Sequence, residues 1–319
     1  MKLYEHPDFE QAILRAEKHF SDSGLRASII EKDYYVTEAL RIVAAHGDKV
    51  IFKGGTSLSK GWNLINRFSE DIDIFVDPAA FDPPLTGRPL DRELKALRDV
   101  VDAHPALTHL PNESKTISGF GRNDRFEYRQ LFGGPGEVIN QVLLEAGTAS
   151  GRQPTETVKL QSYLGQFLQE TGASLGAEDE GLFPMRLLHF RRTFVEKLFA
   201  IHSKIELMKS KGQPLGTYAR HYYDLFQLSS RPEVTAMLAS PEYAEIKADY
   251  DRISREHFSN SYFHPEGMSF AHSDALFPPE PLAATIKAEY QAQCKLLCYG
   301  TYPSWDEVQA RFLELRKML

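Results

Sequence analysis

The sequence predicts an α+β protein, with a mixed α/β half over residues 1–150 and a mainly α-helical half over residues 151–319. Three observations carry this reading. Helix-like and strand-like periodicities alternate through the first half. From about Gly151 onward, apolar residues recur almost entirely at helical spacing. Within the first half, "IFKGGTSLSKGWNLINRFSEDIDIFVD" (51–77) links two short strand-like runs through a pair of glycines. At roughly 100–200 residues per domain, a chain of 319 residues suits two domains.

The elements follow in order. Residues 8–20 and 28–46 carry helical spacing, and "KVIF" is a short buried strand ending at Lys53-Gly54-Gly55. "TSLSKGWNLI" reads as a helix capped by Thr56 or Ser57, with Gly61 a weak point. "DIDIFVD" is a strand closed by Pro78, and "RELKALRDVVDAH" is a helix. Strands follow at "RFEYRQLF" and "VINQVLLEAG", joined by "GGPGE". In the second half, "TVKLQSYLGQFLQETG", "MRLLHFRRTFVEKLFAIHSKIELMKSKG", "GTYARHYYDLFQLSS" and "SPEYAEIKADYDRISREHF" read as helices. A loop spans "SNSYFHPEGMSFAHSDALFPPEP", and two helices close the chain, Ser304 and Glu307 having capping-box spacing.

No apolar run approaches the ~20 residues a membrane helix needs, so no membrane association is expected. The charged opening "MKLYEHPDFEQAILRAEKHF" lacks a signal-peptide core. Cys294 and Cys298 are helix neighbours rather than a disulfide pair, so a reducing cytoplasm is the expected compartment. His257, His264 and His272 lie too far apart for a zinc spacing rule. The net charge of −7 argues against indiscriminate nucleic-acid binding. Charge is uneven, however. Arg186, Arg191, Arg192, Lys197, Lys204, Lys209 and Lys211 face only Glu196 and Glu206 within one segment. That segment is either a solvated helix face or the wall of a polyanion groove.

Strand alternation puts Asp71 and Asp73 on one face, with Ile72 and Ile74 on the other. Paired carboxylates on a strand are either a solvated edge or ligands for Mg²⁺, which takes one or two carboxylates plus water and phosphate oxygens. The glycines Gly54 and Gly55 allow close backbone approach, Thr56 and Ser57 add hydroxyls, and Lys53 or Lys60 adds charge. Neither a Walker A nor a Rossmann spacing is present. A phosphate-holding turn followed by a carboxylate pair suits a nucleoside triphosphate and its Mg²⁺. Glu145, ending the strand "QVLLE", is either an exposed strand-end acid or a third carboxylate that accepts a hydroxyl proton.

Four segments in this order, "FKGGTSLSK", "RFSEDIDIF", "RRTFVEKLFAIH" and "RHYYDLFQL", resemble the AbiEii-type nucleotidyltransferase toxins of type IV toxin–antitoxin systems. The likeness runs from "EKDYYVTEAL" to the last helix. It implies a polymerase-β-like nucleotidyltransferase core, with Gly55 and Ser57 on the triphosphate and Asp71 and Asp73 on Mg²⁺. It further implies Lys197 as a phosphate ligand and Asp224 as a site carboxylate. From the residues alone, Lys197 equally suits an amine snorkelling from an apolar helix, and Asp224 a buried acid paired with Arg220. The resemblance implies an NTP substrate, a tRNA 3′ end as acceptor and a cognate antitoxin. Arg191, Arg192 and Lys204 are then the candidate RNA contacts. A small-molecule nucleotidyltransferase and an inactive nucleotide-binding module are the alternatives.

Overall fold

A computed structural model describes every residue except 70, 118 and 134–137. The chain forms two compact units, Met1–Asn63 with Phe68–Leu188, and Leu64–Arg67 with His189–Leu319.

The first unit is built on a mixed sheet. Its strands are β1 (Val50–Lys53), β2 (Asp71–Val76), β3 (Thr108–His109), β4 (Lys115–Ile117), β5 (Gly121–Glu127), β6 (Gln141–Gly147), β7 (Thr155–Leu160) and β8 (Phe183–Leu188). Their order is β3-β5-β6-β2-β1-β8-β7, and β4 pairs with β5. β1–β8 and β2–β6 run parallel, and the other neighbours are antiparallel. Helices α1 (Phe9–His19), α2 (Ala27–Ala44), the single turn α3 (Gly54–Thr56), α4 (Gly87–Asp102) and α5 (Tyr163–Thr171) complete the unit. α2 packs on β6 and β8, and α4 on β5 and β6. The residues that face this core alternate along the strands, with Ile72, Ile74, Val142, Leu144, Ala146 and Phe126 all buried.

The second unit holds α6 (Phe190–Lys211), α7 (Arg220–Ser229), α8 (Pro232–Leu238), α9 (Pro241–His257), α10 (Leu282–Leu297) and α11 (Trp305–Leu315). α7 lies at its centre, in contact with α6, α8, α10 and α11. The capping box of Ser304 and Glu307 starts α11, as its spacing indicates.

Two segments read as single helices each divide. "TVKLQS" contributes β7, and α5 begins only after Ser162, whose hydroxyl accepts from the Gly165 N–H at 3.0 Å. "MRLL" lies in β8, and α6 starts after His189 caps it through the Arg191 N–H. In both cases pairing wins over helical spacing. β8 bonds to β7 along six residues and to β1 at Leu187, ladder partners that local periodicity cannot register. The change of character placed at residue 150 therefore falls at Leu188, and β7, α5 and β8 belong with the sheet. The "GGPGE" connection at 133–137 lies outside the described residues apart from Gly133.

Candidate active site

The ladder assembles a row of polar side chains on one face of the sheet. Lys53 of β1 opposes Asp73 of β2, Asp73 pairs with Glu145 of β6, and Glu145 opposes Asn123 of β5. Laterally paired residues project to the same side, so these four share a face. Asp71, two residues before Asp73, lies on that face opposite Leu143. Asn123 Nδ2 donates to Glu145 Oε1. Burial, reinforced by repulsion from Asp73 and Asp71, pushes the Glu145 carboxyl up to about 7, against the pull of Lys53 and Asn123. Like charges on one sheet face favour a cation beside them.

The donor set is all oxygen, which suits a hard divalent ion such as Mg²⁺. Among the described residues no three or more His, Cys, Asp or Glu side chains form a ready-made cage. Two carboxylates with room for water and phosphate is the arrangement Mg²⁺ ordinarily takes. Room is kept on one side by Gly54. Its φ is +77°, and a Cβ there would lie 1.9 Å from Asp73 Oδ2. The glycine thus makes space for the metal-binding candidate itself, and not only for a ligand's approach.

The turn after β1 is helical, with a π-type turn over Ser57–Gly61. Neither Thr56 nor Ser57 caps it through a side chain. Both residues are buried. The Ser57 hydroxyl donates to the Gly54 carbonyl at 2.9 Å, and the Thr56 hydroxyl reaches the Asp71 carbonyl at 2.5 Å and Ser69 Oγ at 2.9 Å. Thr56 stitches the glycine turn to β2, and Ser57 closes the turn on itself. Lys60, a candidate for the nucleotide, pairs instead with Asp33 of α2 at 2.6 Å and donates to the Gln161 carbonyl. Lys53 is the cation that acts on the acidic row.

Lys197 and Asp224 meet in the second unit. Lys197 Nζ lies 2.8 Å from Asp224 Oδ2 and 3.1 Å from His221 Nδ1. Arg67 grips the same carboxylate with two bonds, Nε to Oδ1 at 2.7 Å and Nη2 to Oδ2 at 2.8 Å. Arg67 and Asp224 are buried, and Lys197 is 6% exposed. Burial alone would raise the Asp224 carboxyl, but Arg67 and Lys197 outweigh it and hold it well below the usual range. Burial pushes the Lys197 amine down, with Asp224 opposing. Burial and the Lys197 charge push His221 down to about 3, so its imidazole is neutral. Asp224 is thus gripped by Arg67, 157 residues away. Neither Arg67 nor His221 stood out by spacing. The available signal was a charged residue in the apolar run "LINRF" and a histidine three positions before Asp224.

The cationic segment is largely compensated. Arg191 pairs with Glu242 at 3.2 Å. Arg192, 2% exposed, pairs with Glu196 at 3.0 Å and Asp249 at 2.7 Å. Lys204 lies over the Tyr218 ring, and Lys209 joins Glu206 and Asp274. Arg186 sits on β8 of the first unit, bonded to Thr155 and to the Asp48 carbonyl. The acids of α9 and the following loop are distant in sequence, so counting charges within the segment overlooks them.

The model of the nucleotidyl transferase AbiEii toxin family, of type IV toxin–antitoxin systems, matches residues 38–311. Among solved structures, the chain is similar to MenT4, a nucleotidyltransferase toxin from Mycobacterium tuberculosis H37Rv. Identity is 17% and the TM-score 0.55, over 95% of this chain and 88% of that one. An H. pylori protein described as a candidate nucleotidyltransferase shows 15% identity and a TM-score of 0.39, over 89% of this chain and 96% of that one. No match came from the curated proteins. At 17% identity the likeness to MenT4 speaks for the α+β fold alone. The family match spans most of the chain, including the acidic strand and the Lys197–Asp224 pair, and the protein therefore belongs to the AbiEii family of nucleotidyltransferase toxins.

Proposed function

We propose that the protein transfers an NMP unit from an NTP to a hydroxyl of an RNA acceptor, a tRNA 3′ end, with Mg²⁺ as cofactor and release of pyrophosphate. The observation that carries this reading is the row Lys53–Asp73–Glu145 with Asp71 on the same sheet face. Mg²⁺ bound by Asp71 and Asp73 would neutralise triphosphate oxygens and stabilise charge that develops on them. Glu145 takes the proton of the attacking hydroxyl, whose oxygen bonds to the α-phosphorus as the bond to the pyrophosphate oxygen breaks. Glu145 is in register with Asp73 and holds a hydrogen bond from Asn123, which places its carboxylate beside the acidic pair. Gly54 keeps Asp73 in place, and Gly55 and Lys53 face the phosphates. Thr56 and Ser57 act by holding the turn. In the second unit, Lys197 is the phosphate ligand, and Asp224 holds its ammonium. No helix among the described residues is long and apolar enough to cross a membrane. We place the activity in the cytoplasm, where NTP, tRNA and a cognate antitoxin meet.

The test is transfer of each labelled NTP onto total RNA by wild type, Asp71→Asn and Asp73→Asn. Asparagine keeps the shape and removes the charge, so both variants should lose transfer while melting normally. Retained transfer in both would sink the assignment. A second reading, a small-molecule acceptor, is favoured by the ion pairs that occupy Arg191 and Arg192. RNA binding distinguishes the two. An RNA acceptor predicts affinity that falls with salt at a log–log slope of about −0.7 per phosphate contact. A salt-independent or undetectable interaction favours the small acceptor.

A further inference from the structure

We propose that His221 is a positioning residue for Lys197, a neutral acceptor that holds the amine so that one N–H is left for a phosphate oxygen. The inference rests on the reading of Lys197 as a phosphate ligand. An ammonium has three protons to donate. Asp224 Oδ2 takes one at 2.8 Å, and His221 Nδ1, 3.1 Å from the amine and 3.6 Å from Asp224 Oδ2, takes another when that nitrogen carries no proton. No third acceptor is found for Lys197 among the described residues. For Nδ1 to accept, the ring proton must sit on Nε2, which fixes the tautomer. A doubly protonated ring would offer no acceptor and would add a second cation beside Lys197.

The ring is itself braced. Tyr218 packs edge-on against it, with centroids 5.4 Å apart and planes at 81°. Asp224 is equally fixed by the two-bond grip of Arg67. A lysine stem is flexible and its charge is a point, so a defined position requires two anchors at the nitrogen. A phosphate oxygen would supply the missing acceptor and an opposite charge for the ammonium.

The experiment is calorimetric titration of the full-length protein with inorganic tripolyphosphate in the presence of Mg²⁺, which needs no acceptor. It compares wild type with Lys197→Ala, His221→Leu and His221→Asn. Asn places an acceptor oxygen near the position of Nδ1, whereas Leu fills space without one. Loss of one ordered charge-assisted contact is expected to raise the Kd of His221→Leu about tenfold. His221→Asn should stay within about threefold of wild type, and neither variant should melt at a lower temperature. A merely structural histidine would instead lower the melting temperature of both variants and leave the Kd unchanged. Weakened binding in Lys197→Ala together with wild-type affinity in His221→Leu overturns the proposal while leaving the phosphate reading of Lys197 intact. Undiminished binding in Lys197→Ala removes that reading, and this inference with it.

Discussion

At Gly54 the chain turns with φ +77°, and a methyl group there would collide with the Asp73 carboxylate. Gly54→Ala therefore incurs two penalties, a left-handed backbone of about 1–2 kcal/mol and displacement of a candidate metal ligand. We expect transfer to fall by about 100-fold, more than the melting temperature alone would explain. Kinetics and melting of the same preparation check this, and full activity would mean that Asp73 need not stay where it is. His221 makes a second residue-scale prediction. Its value is depressed to about 3 from an ordinary 6.5, so between those limits the unfolded chain binds a proton that the folded chain refuses. Stability from this group is complete above 6.5 and is lost as pH falls toward 3. Between pH 7.5 and 5.5, wild type should lose up to about 1.4 kcal/mol more than His221→Leu in urea unfolding. Equal losses would contradict a neutral His221.

Elements explain what the charge pattern alone conceals. α6 reads as a cationic helix, yet α9 runs against it and delivers Glu242 and Asp249 to Arg191 and Arg192. Arg192 is buried and joined to two carboxylates, so Arg192→Ala strips Glu196 of that cation and leaves Asp249 with Arg252, and should cost about 3 kcal/mol. Arg191 is more exposed, and its substitution by Ala should change stability by less than about 1 kcal/mol. Chemical denaturation of the two variants checks the contrast, and a larger effect at Arg191 would mean the roles are reversed. The short elements β7 and β8 show the converse case. Each carries residues that suit a helix, and each is held as a strand by ladder partners elsewhere in the chain.

For the molecule as a whole, the division into units does not follow chain order. The second unit includes Leu64–Arg67, which lies between the glycine turn and β2. This segment brings the bonds of Arg67 to Asp224, and Asn66 bonds to Tyr223 and Tyr299. A fragment of residues 189–319 lacks them, and the buried Asp224 loses the two-bond grip of Arg67. That fragment should not show cooperative thermal unfolding by circular dichroism, whereas full-length protein should. A cooperative transition at the full-length temperature would show that Arg67 is dispensable to the unit. Likewise, a fragment ending at residue 150 exposes β1 as a raw sheet edge, because β8 is its neighbour. It should aggregate where a fragment of residues 1–188 stays dispersed.

By itself the sequence determined the α+β class, the helices with strong 3.6-residue period, the strand that carries Asp71 and Asp73 and the capping box at Ser304. Each is a local property, set by side-chain alternation, glycine and proline punctuation or a cap within four residues. The alternation of "DIDI" was enough to place both carboxylates on one face, and that of "QVLLE" to raise Glu145 as a third. Tertiary structure alone decided that Glu145 and Asn123 fall in register with Asp73, that Gly54 makes room for its carboxylate, and that Lys60 is committed to Asp33. It also decided that Arg67 secures Asp224, and that the cations of α6 meet acids from α9. These outcomes depend on pairings between residues tens to more than a hundred positions apart. The free energy of burying a charge is settled by whichever partner the fold brings within hydrogen-bond distance, and no local spacing records that partner.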